Sequence, residues 1–219
     1  MTMHDDALPP PAVATQFDDL AQQRAAGTLG MWTFLTTETM FFGALLFAYA
    51  VARGHFPVAF AAASRHTDLL LGTINTAVLL TSSLCMALAA TAASARARIA
   101  TVGWLVATTL LGLAFCGIKL AEYAIDYREH LVPVLDFAFD PPALAAGAET
   151  FFWLYFTTTG LHLVHLVIGI GMVLVLAARA YRARARNLDT TIDAAGLYWH
   201  FVDVVWIFLY PLLYLVALA

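Results

Sequence analysis

Apolar residues along this chain show neither the two-residue period of a half-buried strand nor the single stripe of a surface helix. They run on almost unbroken between short polar stretches. The runs are approximately Leu29 to Ala52, Asp68 to Ala93, Thr101 to Tyr123, Phe151 to Ala178 and Ala194 to Leu218. Each exceeds the roughly 18 residues a helix needs to cross the hydrocarbon core of a bilayer. The pattern predicts an all-α, polytopic membrane protein: a bundle of five transmembrane helices over residues 29–219, preceded by a flexible arm over residues 1–28. No internal repeat or low-complexity tract appears, so the paired broken helices of an inverted-repeat transporter are lacking.

Composition agrees with this reading. A chain of 219 residues that is 62% hydrophobic and 12% charged cannot cover a soluble globule of its size with polar surface. The net charge of -4 matters less than which loops hold the arginines. Arg24, Arg96, Arg98, Arg179, Arg182, Arg184 and Arg186 fall in the arm and in the loops after the second and fourth spans, against Arg53, Arg65 and Arg128 on the other side. Seven against three predicts a cytoplasmic N-terminus and, after five crossings, a C-terminus outside. The acidic loop from Asp126 to Glu149, with Asp136, Asp140, Pro141 and Pro142, is then external. It is long for a bundle connection and is expected to pack against something. The arm carries Asp5, Asp6, Asp18, Asp19 and Pro9 to Pro11 without a positive leading region, unlike a secretory signal, and is expected to lie on the membrane surface or a neighbouring subunit. Cys85 and Cys116 sit in apolar runs as small hydrophobes, and no basic nucleic-acid footprint is present.

Polar residues inside the spans are costly in lipid and therefore informative. Glu38 lies nine residues into the first run, ~13 Å deep at 1.5 Å per residue. It reads either as a proton-linked or lipid-contacting acid, or as a neutral carboxyl bonded to a neighbouring helix. Asn75, Thr76, Ser82 and Ser83, with Gly72, suit close helix contact and hydrogen bonding across a seam. Lys119 and Glu122, three apart, suit a mutual bond or snorkelling to water. His162 and His165 share a helix face in a run with Gly160, Gly169 and Gly171, and are expected in a hydrogen-bonded seam. In the last run Trp199, Asp203 and Trp206 fall on one side, with His200 three residues before Asp203; a buried His–Asp pair that fixes register is expected, and Pro211 is expected to bend or loosen the last turns.

Redox and nucleophilic readings fare worse. A carboxylate-bridged metal centre in a bundle needs Glu-x-x-His motifs, which do not occur, and a haem would have only His200 with one histidine of the fourth span. No serine or cysteine nucleophile stands in a recognisable motif beside His200 and Asp203. No catalytic, cofactor-binding or metal-binding residue is therefore predicted in this chain. Glu38, Asn75, Glu122, His162, His165, Trp199, His200, Asp203 and Trp206 form the predicted polar seam, with structural, lipid or proton-linked roles. A reading from another class is a small proton channel or transporter using Glu38, His162 and Glu122 as a relay.

The stretch WHFVDVVWIFLY, residues 199–210, resembles the closing signature of subunit III of the haem-copper oxidases. TETMFFGALLFAY (37–49), INTAVLLTSS (74–83), AEY (121–123) and TGLHLVHLVIG (159–169) resemble further elements of that family in the same order. Glu38 falls on the family's buried, carbodiimide-reactive glutamate and Glu122 on its helix-three acid. Lys119 is not part of the respiratory signature. The resemblance, to the five-helix bacterial form, implies a chain without haem or copper of its own in a bacterial plasma (inner) membrane. Larger members have two additional N-terminal helices and hold lipid in the cleft between these and the five-helix part; the five spans of this chain do not supply that closed cleft, and phospholipid is a candidate ligand only. The chain would bind catalytic subunit I, which carries haem and copper, stabilise it beside the other oxidase subunits, and support proton uptake. FFWLYFTTTGLHLVH (151–165) and Lys119 also resemble the homologue associated with nitric oxide reductase, a second implied partner.

Overall fold

The computed structural model describes residues 15–135, 137–182 and 188–216. The described residues contain α1 (Leu20–His55), α2 (Pro57–Ser64), α3 (Leu69–Ser94), α4 (Arg98–Arg128), α5 (Ala145–Tyr181) and α6 (Leu188–Tyr214). All but α2 are long and apolar enough to cross a membrane, which makes five candidate spans.

Helices α1 and α3 start where the sequence offers caps. Asp19 Oδ1 accepts from the Gln22 amide at 2.7 Å and opens α1; Asp68 Oδ1 accepts from the Leu70 and Leu71 amides at 2.9 and 3.0 Å and opens α3. Helix α1 therefore begins at Leu20, so residues 20–28 are helix rather than arm. Arg24 lies in it; residues 1–14, including Asp5, Asp6 and Pro9 to Pro11, lie outside the described residues, as do Asp136, Arg184, Arg186 and Ala219. Helix α2 was not legible as an apolar run. Pro57 at its first position, with φ preset, starts it directly after α1 ends. The last span runs from Leu188 to Tyr214 instead of Ala194 to Leu218, and its helix continues through Pro211. Threonine hydroxyls within the spans, such as Thr39, Thr81 and Thr109, donate to the carbonyl four residues back, which satisfies them without a partner helix.

Helices α3, α4, α5 and α6 pack as a closed ring, each against its two neighbours; α1 lies outside, on α5 and α6, and α2 covers the end of α5. The loop expected from Asp126 to Glu149 is shorter. Asp126 is inside α4 and 2% exposed, and Glu149 is inside α5. The loop closes on itself, with the Ala138 amide donating to the His130 carbonyl at 3.0 Å, and packs on its own bundle through Phe137 against Phe152 of α5, with centroids 6.0 Å apart.

Candidate functional site: the buried polar seam

The aromatic side chains of α6 fix the interior of the ring. Trp199 and Trp206 are each 1% exposed, and each indole N–H donates to α3: Trp199 Nε1 to Ser82 Oγ at 3.1 Å, Trp206 Nε1 to Thr76 Oγ1 at 3.0 Å. Glycines make room for the rings. A Cβ on Gly112 would stand 2.9 Å from the Trp199 ring, one on Gly169 would stand 3.2 Å from it, and one on Gly72 would stand 2.8 Å from Tyr214. Gly169 thus does what the sequence suggested, whereas Gly171 faces open space and Gly160 has only the Tyr123 hydroxyl at 4.0 Å.

On the same seam His200 Nδ1 bonds Ser83 Oγ at 2.7 Å, and Asn75 Nδ2 donates to the Phe115 carbonyl at 3.4 Å. Tyr210 Oη meets Thr73 Oγ1 at 2.7 Å, so Tyr210 packs within the chain. The predicted His200–Asp203 pair is not formed. His200 instead takes Ser83 on the neighbouring α3, while Asp203, 3% exposed, has no hydrogen-bond partner on either oxygen among the described residues.

The histidines of α5 also part. His162 is 1% exposed, lies edge-on to Phe115 at 5.5 Å and against Trp206 at 5.2 Å, and neither ring nitrogen has a hydrogen-bond partner among the described residues. The hydrogen-bonded seam expected of it is replaced by aromatic packing. His165 turns to α1: Nε2 stands 3.1 Å from Glu38 Oε2, Nδ1 is 2.8 Å from the Leu161 carbonyl, and Phe42 packs edge-on to its ring at 5.2 Å. Tyr198 Oη donates to the His165 carbonyl at 2.9 Å. With Nδ1–H donating to Leu161, the Glu38–His165 contact carries one proton that sits on either partner. The two side chains are 19% and 15% exposed, so this pair lies at the edge of the bundle, the neighbouring-helix alternative for Glu38.

The third group was the least legible. Lys119 is fully buried, and its ammonium donates to Glu122 Oε2 at 3.1 Å, Tyr155 Oη at 2.8 Å and Tyr214 Oη at 2.6 Å. Both phenols in turn donate to Glu122 Oε1, at 2.8 and 2.6 Å. Tyr155, Tyr123, Tyr214 and Trp206 rings stand 4.4 to 5.7 Å from Nζ, a cage suited to a cation. Lys119 therefore does not snorkel. The closure of this cluster rests on Tyr155 and Tyr214, which no local motif in the sequence marks. The Tyr49 hydroxyl donates to the Leu212 carbonyl, and Ser64 Oγ to the Leu213 carbonyl at 2.8 Å, where the end of α6 at Tyr214 leaves its last carbonyls without intrahelical donors.

The groups proposed as a relay are thus distributed over separate contacts: Glu38 with His165, Glu122 with Lys119, and His162 with no hydrogen bond to either. Among the described residues no three His, Cys, Asp or Glu side chains gather as a metal-ligand set.

Comparison with known proteins is consistent along nearly the whole chain. Residues 19–218 match the family described as cytochrome c oxidase subunit III. "Cytochrome c oxidase subunit 3" of Alkalihalophilus pseudofirmus is 34% identical over 87% of both chains. "Cytochrome bo(3) ubiquinol oxidase subunit 3" of Pseudomonas aeruginosa is 31% identical, covering 86% of this chain and 84% of that one. A fused "Heme-copper oxidase subunit I+III" of Aeropyrum pernix is 28% identical over 85% of this chain, which spans 22% of the fusion. Together with the ring of apolar spans and the Trp199–Trp206 seam, these matches make the chain a member of the cytochrome c oxidase subunit III family, a multi-pass membrane subunit of haem-copper oxidase complexes.

Proposed function

We propose that this chain is the non-redox subunit III of a bacterial haem-copper terminal oxidase, seated in the plasma membrane with its N-terminus cytoplasmic, its C-terminus outside, and bound directly to catalytic subunit I. The fusion of subunits I and III in the Aeropyrum pernix relative carries the reading, because two polypeptides are joined most simply where their products already lie side by side. The interior supports it. Trp199, Trp206, Lys119 and Glu122 are spent on contacts between helices of this chain, and the His162 ring is enclosed by apolar and aromatic groups. In this role haem and copper belong to the partner, and the chain stabilises the oxygen-reducing centre and sustains proton uptake by holding the partner's helices in place. Phospholipid at the α1 edge, near Glu38 and His165, is part of the same proposal.

A second reading within the family rests on Lys119. A residue outside the respiratory signature occupies the centre of the cluster, which suits a homologue assembled with nitric oxide reductase. The test is purification of the tagged chain from native membranes in mild detergent. A haem-containing catalytic polypeptide in stoichiometric amount is expected, and its identity separates oxidase from nitric oxide reductase. The chain on its own is expected to be colourless. Stoichiometric iron or copper on the isolated chain, or proton flux through it in liposomes, would overturn the proposal.

A further inference from the structure

The external end of the ring, as proposed above, holds more buried acid than buried base. Lys119, Glu122 and Asp126 follow one another at three- and four-residue spacing on α4, and they are 0%, 1% and 2% exposed. One ammonium thus stands with two carboxyl groups in a region with almost no access to water. A buried unbalanced charge is among the most costly features a fold can hold, and it is costlier still inside a membrane span. Neutrality requires one additional proton, and the hydrogen bonds indicate where it rests.

Each of the three ammonium N–H groups of Lys119 already has an acceptor, and Glu122 accepts from Lys119, Tyr155 and Tyr214. A carboxyl group that accepts from three donors, one of them an ammonium, is held in its charged form, so Lys119 and Glu122 form the ionised pair. Asp126 has the opposite surroundings. Its Oδ2 is buried with no hydrogen-bond partner among the described residues; Tyr155 comes within hydrogen-bond reach of the carboxyl but gives its hydroxyl proton to Glu122 Oε1, and the charged groups facing it are Glu122, Lys119 and Glu129. Glu129 lies at the surface, 4.0 Å from His66, and adds negative charge to the same side. Tyr123 of α4 bonds Thr159 at 2.6 Å and is already committed, Tyr214 of α6 is committed to Glu122, and α3 faces this end with Gly72 and contributes no acid or base. Among the described residues, Lys119 is the cation whose charge acts on Asp126.

We infer that Asp126 is a proton-binding site: it takes the one additional proton that balances the buried charges beside the Lys119–Glu122 pair, which makes the cluster a neutral store for one exchangeable proton inside this subunit. The inference does not depend on which catalytic subunit the chain accompanies.

Infrared spectroscopy of the full-length chain in lipid bilayers tests it through the carbonyl stretch of neutral carboxylic acids, identified by its downshift in deuterium oxide. Carboxyl-¹³C aspartate labelling should move the band in the unmodified chain. Asp203 also has buried oxygens without a hydrogen-bond partner among the described residues, and any component it contributes is identified by its loss in Asp203→Asn. Asp126→Asn should remove the remaining aspartate component. Glu122→Gln should also remove it, because Asp126 then ionises to balance Lys119, whereas Lys119→Met should add a glutamic acid component. An unchanged band in Asp126→Asn, or a glutamic acid component of the unmodified chain that persists in Glu38→Gln and is lost in Glu122→Gln, would overturn the inference. If Asp126→Asn does not fold, the labelled unmodified chain and Lys119→Met still decide it, since an ionised Asp126 predicts no aspartate component beyond that of Asp203.

Discussion

Glu38 and Glu122 both sit in membrane spans of this chain, and their surroundings differ. Glu122 lies inside the ring, 1% exposed, accepting from a lysine and two tyrosines contributed by α4, α5 and α6. Glu38 lies on α1, outside the ring, with a single histidine partner and a side chain 19% exposed. The first is satisfied entirely by its own polypeptide. The second is half-finished, on the helix with the fewest buried residues, which is where lipid or another subunit completes a membrane protein. Subunit III therefore divides into a self-sufficient ring and an attached first helix with polar capacity left for its surroundings.

The largest effect expected from breaking this contrast is at the cluster. Lys119→Ala leaves Glu122 without its cation and a cavity among Tyr155 and Tyr214, and should cost about 3–5 kcal/mol. Unfolding of the purified chain in mixed micelles by denaturing detergent measures it, and a loss under about 1 kcal/mol would mean the cluster does not hold the ring together.

Next comes Gly72→Ala. Its Cβ would meet the Tyr214 ring at 2.8 Å, and the two hydrogen bonds of Tyr214 prevent that ring from yielding, so about 1–3 kcal/mol should be lost in the same assay. Gly171→Ala, facing open space, is the control and should be neutral or slightly stabilising. Ser82→Ala strips the acceptor from the buried Trp199 indole and should cost about 1–2 kcal/mol, with a shift in tryptophan fluorescence as a second readout.

The smallest effect on the fold is expected at Glu38. Glu38→Gln keeps a hydrogen bond to His165 available, and interhelical polar contacts of this kind average roughly 0.6 kcal/mol in membranes. Its effect should appear instead in the complex, as faster loss of the chain from the catalytic subunit during detergent dilution. A destabilisation of the isolated chain as large as that of Lys119→Ala would erase the distinction between the two glutamates.

Much of the architecture was legible because bilayer thickness imposes length and apolarity on every span. The seam around Trp199 and Trp206 was legible because its residues recur at helical spacing within one segment. Side-chain direction was less so. His162 and His165 share a face by spacing, yet one enters the ring and the other meets α1, a split decided by which helices flank α5. The His200–Asp203 pair failed for the same reason, since Ser83 on α3 lies closer to His200 than its own helix neighbour can reach. The Tyr155 and Tyr214 partners of Lys119 lie 36 and 95 residues away, beyond any local pattern. Asp126 looked like the start of a surface loop because acids usually are; only the continuation of α4 to Arg128 shows it buried.

The position of Tyr214 at the end of α6 bears on how the protein is made. Lys119 precedes it by 95 residues, so at about 5–20 residues per second a ribosome needs some 5–20 s to deliver the second phenol after the lysine has left it. During that interval the ammonium has only Glu122 and then Tyr155 to satisfy it, and α4 must wait in the insertion machinery or at the bilayer surface. A nascent chain stopped just short of Tyr214 would therefore be a good substrate for membrane quality control, although all its spans had been synthesised.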